Sequence, residues 1–184
     1  MASALACACG PAATTEVEIA RVAAPVVATS ASPAGATARA PSSACAPRCI
    51  EGSDVADTAE NREVVALVEA YAAGLRTRDA GAVLALASRA YADDAGTPDP
   101  SDDLDYAGLA GYLTDTFAKL ASLEVEARVT RVRVDANKRV IVDVSIAATY
   151  TFSAAPTKPQ QQPRRDQVIV LAREGGALRA ASGL

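Results

Sequence analysis

The chain has 184 residues, with 18 basic against 22 acidic side chains, no histidine and no tryptophan. The mildly acidic balance, without a basic cluster, argues against a nucleic-acid partner, which needs a positive face. Without histidine, Ser-His-Asp, Cys-His and His-based zinc chemistry are excluded, so acid–base work falls to Asp, Glu, Tyr or Lys. No apolar run reaches the roughly 18 residues that a transmembrane helix needs.

The two Phe and five Tyr all fall at Tyr71 or later. The earlier part of the chain therefore has little large apolar surface with which to offset its ordering entropy. It holds all four cysteines, Cys7, Cys9, Cys45 and Cys49. Residues 1–10, with small side chains ahead of Cys7 and Cys9, resemble the tail of a bacterial lipoprotein signal. The resemblance implies a lipid anchor on Cys7 or Cys9, the membrane being reached only through that anchor, and a place in the cell envelope or outside the cell. A cytoplasmic location stays open. Residues 11–55 are rich in Ala, Pro, Ser and Thr and read as a flexible linker. Within them Cys45-Ala-Pro-Arg-Cys49 can close a small disulfide in an oxidising compartment. It has neither the C-x-x-C redox spacing nor the further ligands of a zinc site.

The expected folded domain spans 56–184. Asp57-Thr58-Ala59-Glu60 has the form of a capping box, and Val64, Val68, Tyr71 and Leu75 follow at helical spacing. Asp79 suits the N-cap of a second helix through Val83, Leu84 and Leu86. Between Tyr91 and Asp105 lies an acidic loop that contains Asp99. Tyr106, Leu109, Leu113, Phe117 and Leu120 then mark a third helix. Asp103-Leu104-Asp105-Tyr106-Ala107-Gly108 begins like a calcium loop, but Ala107 fills a ligand position and no glutamate closes it, so no metal is expected. No cofactor is expected either.

From Leu123 the hydrophobic period changes to two. The phase slips near Thr130-Arg131, as a β-bulge would cause. Asp135-Ala136-Asn137-Lys138 reads as a hairpin turn, and a long strand follows from Val140 to Phe152. A Pro/Gln loop is expected from Ser153 to Pro163, a third strand from Asp166 to Arg173, and a last strand from Leu178 to Ser182. Helices followed by a meander predict an α+β fold in which three N-terminal helices pack on a strongly bent antiparallel sheet. The cone between them is a natural small-molecule cavity, with Tyr91, Tyr112 and Phe117 as candidate lining.

This order of elements resembles the nuclear transport factor 2-like superfamily, with its SnoaL-like and ketosteroid isomerase-like branches. The likeness rests on Glu69-Ala70-Tyr71 with Arg78-Asp79-Ala80-Gly81, on Ala92-Asp93-Asp94-Ala95 followed by Asp99-Pro100, and on Arg165-Asp166-Gln167-Val168 with Arg173-Glu174-Gly175-Gly176. The isomerase branch implies Tyr71 as an oxyanion donor, Asp99 as the proton-shuttling base and Asp166 as a protonated donor. The leading expectation is an exported or lipid-anchored domain whose cavity takes a small apolar ligand without strong catalysis. One alternative is an isomerase or cyclase abstracting a proton next to a carbonyl. The other is an envelope interaction module that forms a homodimer through its sheet.

Overall fold

The computed structural model describes residues 49–94, 97, 99–154 and 158–184. Cys7, Cys9 and Cys45, with the expected anchor and one half of the expected disulfide, lie outside the described residues, whereas Cys49 is described and exposed. Residues 49–55, expected within the linker, pack against the domain. Cys49 bridges to Ala56, the Asp54 amide donates to the Val129 carbonyl at 2.9 Å, and Val55 is buried in the core.

The apolar stripe forms helix α1 (Ala59–Thr77), which buries Val64, Val65, Val68, Tyr71 and Leu75. Its N-cap is Thr58, one residue later than the capping box suggested. Thr58 Oγ1 accepts from the Asn61 amide, and Asp57 instead pairs with Arg62. Asp79 caps the short helix α2 (Ala80–Leu84), accepting from the Ala82 amide at 2.9 Å. The ends of the acidic loop are zipped by two-residue strands, β1 (Ala92–Asp93) and β2 (Leu104–Asp105), a pairing that the loop composition did not foretell. Asp105 then caps α3 (Tyr106–Lys119) by accepting from the Gly108 amide at 2.7 Å.

Four strands follow in meander order: β3 (Leu120–Val134), β4 (Val140–Phe152), β5 (Gln160–Glu174) and β6 (Ala177–Ser182). The sheet is antiparallel throughout, and the helices cover one face. The phase slip at Thr130 is a bulge: Val129 pairs with Val144, but Arg131 pairs with Asp143. An extra residue on one strand raises local twist and bends the sheet around α1. The Asp135 to Lys138 turn forms as expected, with Lys138 at φ 61° and Asp135 Oδ1 accepting from the Asn137 and Arg139 amides. Between β5 and β6, Gly175 and Gly176 both have positive φ, as a tight hairpin turn of this hand requires.

Strand β5 departs furthest from expectation, because it begins at Gln160 rather than Asp166. Ala148 pairs with Gln162 and Ile146 with Arg165, so Pro163 and Arg164 together oppose the single residue Ala147. Proline has no amide hydrogen to give to the ladder, and a bulge is one of the few places a sheet accepts it. Directly opposed residues share a face, so this bulge inverts the face of everything that follows it. Arg165, Gln167, Ile169 and Leu171 point toward the helices, and Asp166 and Val168 point away.

Beyond β6, the Gly183 amide donates to Asp93 and the Leu184 amide to the Tyr91 hydroxyl. Gly183 has φ 85°, and a Cβ placed there would lie 2.1 Å from the Val168 carbonyl oxygen. Gly183→Ala is therefore expected to cost more than about 3 kcal/mol in a urea-unfolding experiment. Gly175→Ala has open space around it and only a positive φ to strain, so about 1 kcal/mol is expected. Equal losses in the two variants would contradict this packing.

Candidate functional site

Tyr71 projects from α1 into the interior and is 1% exposed. Across from it, inverted β5 presents Arg165 and Gln167, and α3 contributes Tyr112, whose hydroxyl is buried. Burial pushes the Tyr71 hydroxyl well above its usual 10.0, outweighing the opposite pull of a Gln167 hydrogen bond and the Arg165 charge. Burial likewise lowers the Arg165 guanidinium from its usual range, while the neighbouring Tyr71 and Tyr112 phenols act to raise it. Tyr71 therefore stands as a neutral hydroxyl beside a half-buried cation.

At the rim the site is held shut by hydrogen bonds. Tyr91, fully buried, donates to Asp93 Oδ2 at 3.0 Å and accepts from the Leu184 amide at 3.0 Å. Asp93 Oδ2 also accepts from the Gly183 amide at 3.0 Å, and Gln167 Nε2 donates to the Gly183 carbonyl. That last bond fixes which end of the Gln167 amide is nitrogen. Its Oε1 is buried and has no hydrogen-bond partner among the described residues. Burial and the adjacent Asp93 charge push the Tyr91 hydroxyl strongly upward.

The residues expected at the site divide. Tyr71, Tyr91 and Tyr112 gather in this interior, and Phe117 joins the core beside them. Asp99 does not come near: it is exposed, and its Oδ1 accepts from the Ser101 amide at 2.9 Å within the acidic loop. Asp166 is exposed on the outer face, opposite Ser145 of β4, because the bulge at Pro163 and Arg164 reverses its side. Its two neighbours take the inward positions in its place. Sequence reasoning missed Arg165, Gln167 and Asp93. The signals for them were a proline inside a strand and the Ala92-Asp93-Asp94-Ala95 stretch, where Asp93 rather than the later aspartate turns inward.

Outside the rim, Asp93, Asp94, Asp103 and Asp105 line an open cleft of about 390 Å³. Among the described residues, no three His, Cys, Asp or Glu side chains are grouped so that they could hold a metal ion.

No protein-family model matches the sequence, and no curated protein matches it. Solved structures do match in fold. ActVI-ORFA from Streptomyces coelicolor is 17% identical with a TM-score of 0.55, over 68% of this chain and 95% of that one. A ketosteroid isomerase-like protein from Erwinia carotovora atroseptica is 16% identical with a TM-score of 0.56, over 68% of this chain and 94% of that one. A hexachlorocyclohexane dehydrochlorinase, LinA type 2, is 9% identical with a TM-score of 0.56, over 68% of this chain and 82% of that one. The chain has the nuclear transport factor 2-like α+β fold that SnoaL-like and ketosteroid isomerase-like proteins share. At these identities the likeness concerns the fold.

The raised hydroxyls make a prediction about alkaline stability. A group whose proton is held more tightly in the folded state stabilises the fold fully below its unfolded value, and the contribution falls as pH rises beyond it. With Tyr71 and Tyr91 both raised from 10.0, stability should fall steadily above that pH. Chemical unfolding across the alkaline range checks this, and the double variant Tyr71→Phe, Tyr91→Phe should flatten the slope. An unchanged slope in that variant would place the titrating groups elsewhere.

Proposed function

We propose that this domain binds a small, mainly apolar molecule inside the cone, its polar end among Tyr71, Tyr112, Arg165 and Gln167, and does not abstract a proton from it. The observation that carries this reading is the division of the site residues. Hydrogen-bonding groups converge on the interior, while Asp99 and Asp166 face solvent. The oxyanion side of an isomerase is present in Tyr71, but proton abstraction needs a base within hydrogen-bond reach of the substrate. Asp93 is a carboxylate whose charge acts on both Tyr71 and Tyr91, and its Oδ2 already accepts from Tyr91 and Gly183.

The folds it resembles belong to proteins named for catalysis, a dehydrochlorinase and an isomerase-like protein among them. A fold does not fix an activity, and a concave interior of this kind serves binding as well as catalysis. The N-terminal sequence supports an exported or lipid-anchored setting in which such a binder is displayed on a tether.

Methyl octyl ketone probes both halves of the reading, having an apolar tail and an enolisable carbonyl. Calorimetric titration should give saturable one-to-one binding, weakened about fivefold by Tyr112→Phe through loss of one hydrogen bond. In deuterium oxide the protons next to the carbonyl should exchange no faster with the protein than without it. Protein-dependent exchange would overturn the non-catalytic reading and restore the isomerase one.

A further inference from the structure

We infer that the outer edge of β3 is self-complementary and pairs antiparallel with β3 of a second copy of this chain once the strap of residues 49–55 lifts from it. β3 is the first strand of the four-stranded sheet and has β4 on one side only. The other side of such a strand presents backbone groups that a further strand can use. Here the strap occupies it. The Asp54 amide donates to the Val129 carbonyl at 2.9 Å. Arg128 holds the strap from the other direction, through the Asp54 carboxylate and the Ser53 carbonyl. Ser53 and Val55 are buried. Nearer the start of the strand, Arg76 of α1 donates to the Val125 carbonyl at 2.8 Å. A guanidinium on a flexible stem yields readily, whereas the strap lays backbone against the edge.

The outward side chains of β3 choose the partner. Glu124 and Glu126 stand in its first half and Arg128, Arg131 and Arg133 in its second, all exposed. An antiparallel second copy reverses that order, which brings Glu124 opposite Arg133 and Glu126 opposite Arg131. The bulge at Thr130 is on both strands, so it shifts each half equally, and the two-fold axis falls at Arg128. The two Arg128 side chains meet there as one like pair against four opposite pairs, whereas a parallel second copy would set like charges along the whole strand. In the single chain Glu126 pairs with Arg164, and Arg131 and Arg133 with Asp143. Each of these pairs has an exposed side chain and exchanges partners at little cost.

Sedimentation velocity of the full chain at rising concentration tests this, with hydrogen exchange at the Asp54 amide reporting the strap. Wild type should associate only weakly, its Asp54 amide protected. Asp54→Lys repels Arg128 and leaves β3 untouched. It should speed exchange at position 54 and tighten self-association about tenfold, in proportion to the larger open population. Val55→Asp lifts the strap by a different route and should do the same. Adding Glu124→Arg to either variant sets like charges opposite Arg133 in both halves and should weaken association about tenfold; Arg133→Glu on top should restore it. The inference is overturned by a wild type that associates as tightly as the opened variants, or by opened variants that stay monomeric. Association indifferent to Glu124→Arg overturns it equally. If neither strap variant speeds exchange at position 54, these contacts do not hold the strap and the inference fails.

Discussion

One bulge orders the interior of this protein. Pro163 and Arg164 stand together against Ala147, and everything downstream on β5 changes face as a result. Without the extra residue, Arg164 would oppose Ile146, Asp166 and Val168 would point at α1, and Arg165 and Gln167 would lie in solvent. The inserted residue thus exchanges a carboxylate for a guanidinium and an amide in the heart of the cone. It also places Ile169 and Leu171 against the helices rather than outside. The hydrophobic core and the polar site therefore depend on the same register.

The rest of the architecture supports that placement. The bulge at Thr130 bends β3 and β4 over α1, so that a helix residue such as Tyr71 can reach a strand two positions away in the sheet. At the rim, Asp93 gathers Tyr91 and the Gly183 backbone, and Gln167 holds Gly183 from the other side. Buried hydroxyls, amide and guanidinium cost free energy unless they are partnered. The interior gathers Tyr71, Tyr112, Arg165 and Gln167 beside a core that is otherwise apolar.

Much of the fold was legible in the sequence because it rests on local periodicity. The stripe through Val64, Val68, Tyr71 and Leu75 gave α1, the cap at Asp79 gave α2, and the phase slip at Thr130 gave the first bulge. The hairpin turns followed from Asp135 and from the Gly175-Gly176 pair. The site was read less well, because its residues are set by parity along one strand. Tyr71 lay on a helix whose buried face the sequence shows directly. Asp166 depends on where β5 begins and on whether Pro163 belongs to a loop or to the strand, and by sequence alone a proline reads as loop. Asp99 follows the Ala92-Asp93-Asp94-Ala95 stretch in sequence, but it is exposed, while Ala92 and Asp93 pair with Leu104 and Asp105. Pairing between distant short segments leaves no periodic trace.

The register of β4 against β5 is the claim on which the rest stands, and cross-strand nuclear Overhauser effects measure it directly. The account predicts backbone contacts between Ile146 and Arg165 and between Ala148 and Gln162, with Arg165 side-chain protons close to the Tyr71 ring. Contacts between Ile146 and Arg164 instead, with Asp166 beside Tyr71, would show an unbulged strand and contradict the site built on this register.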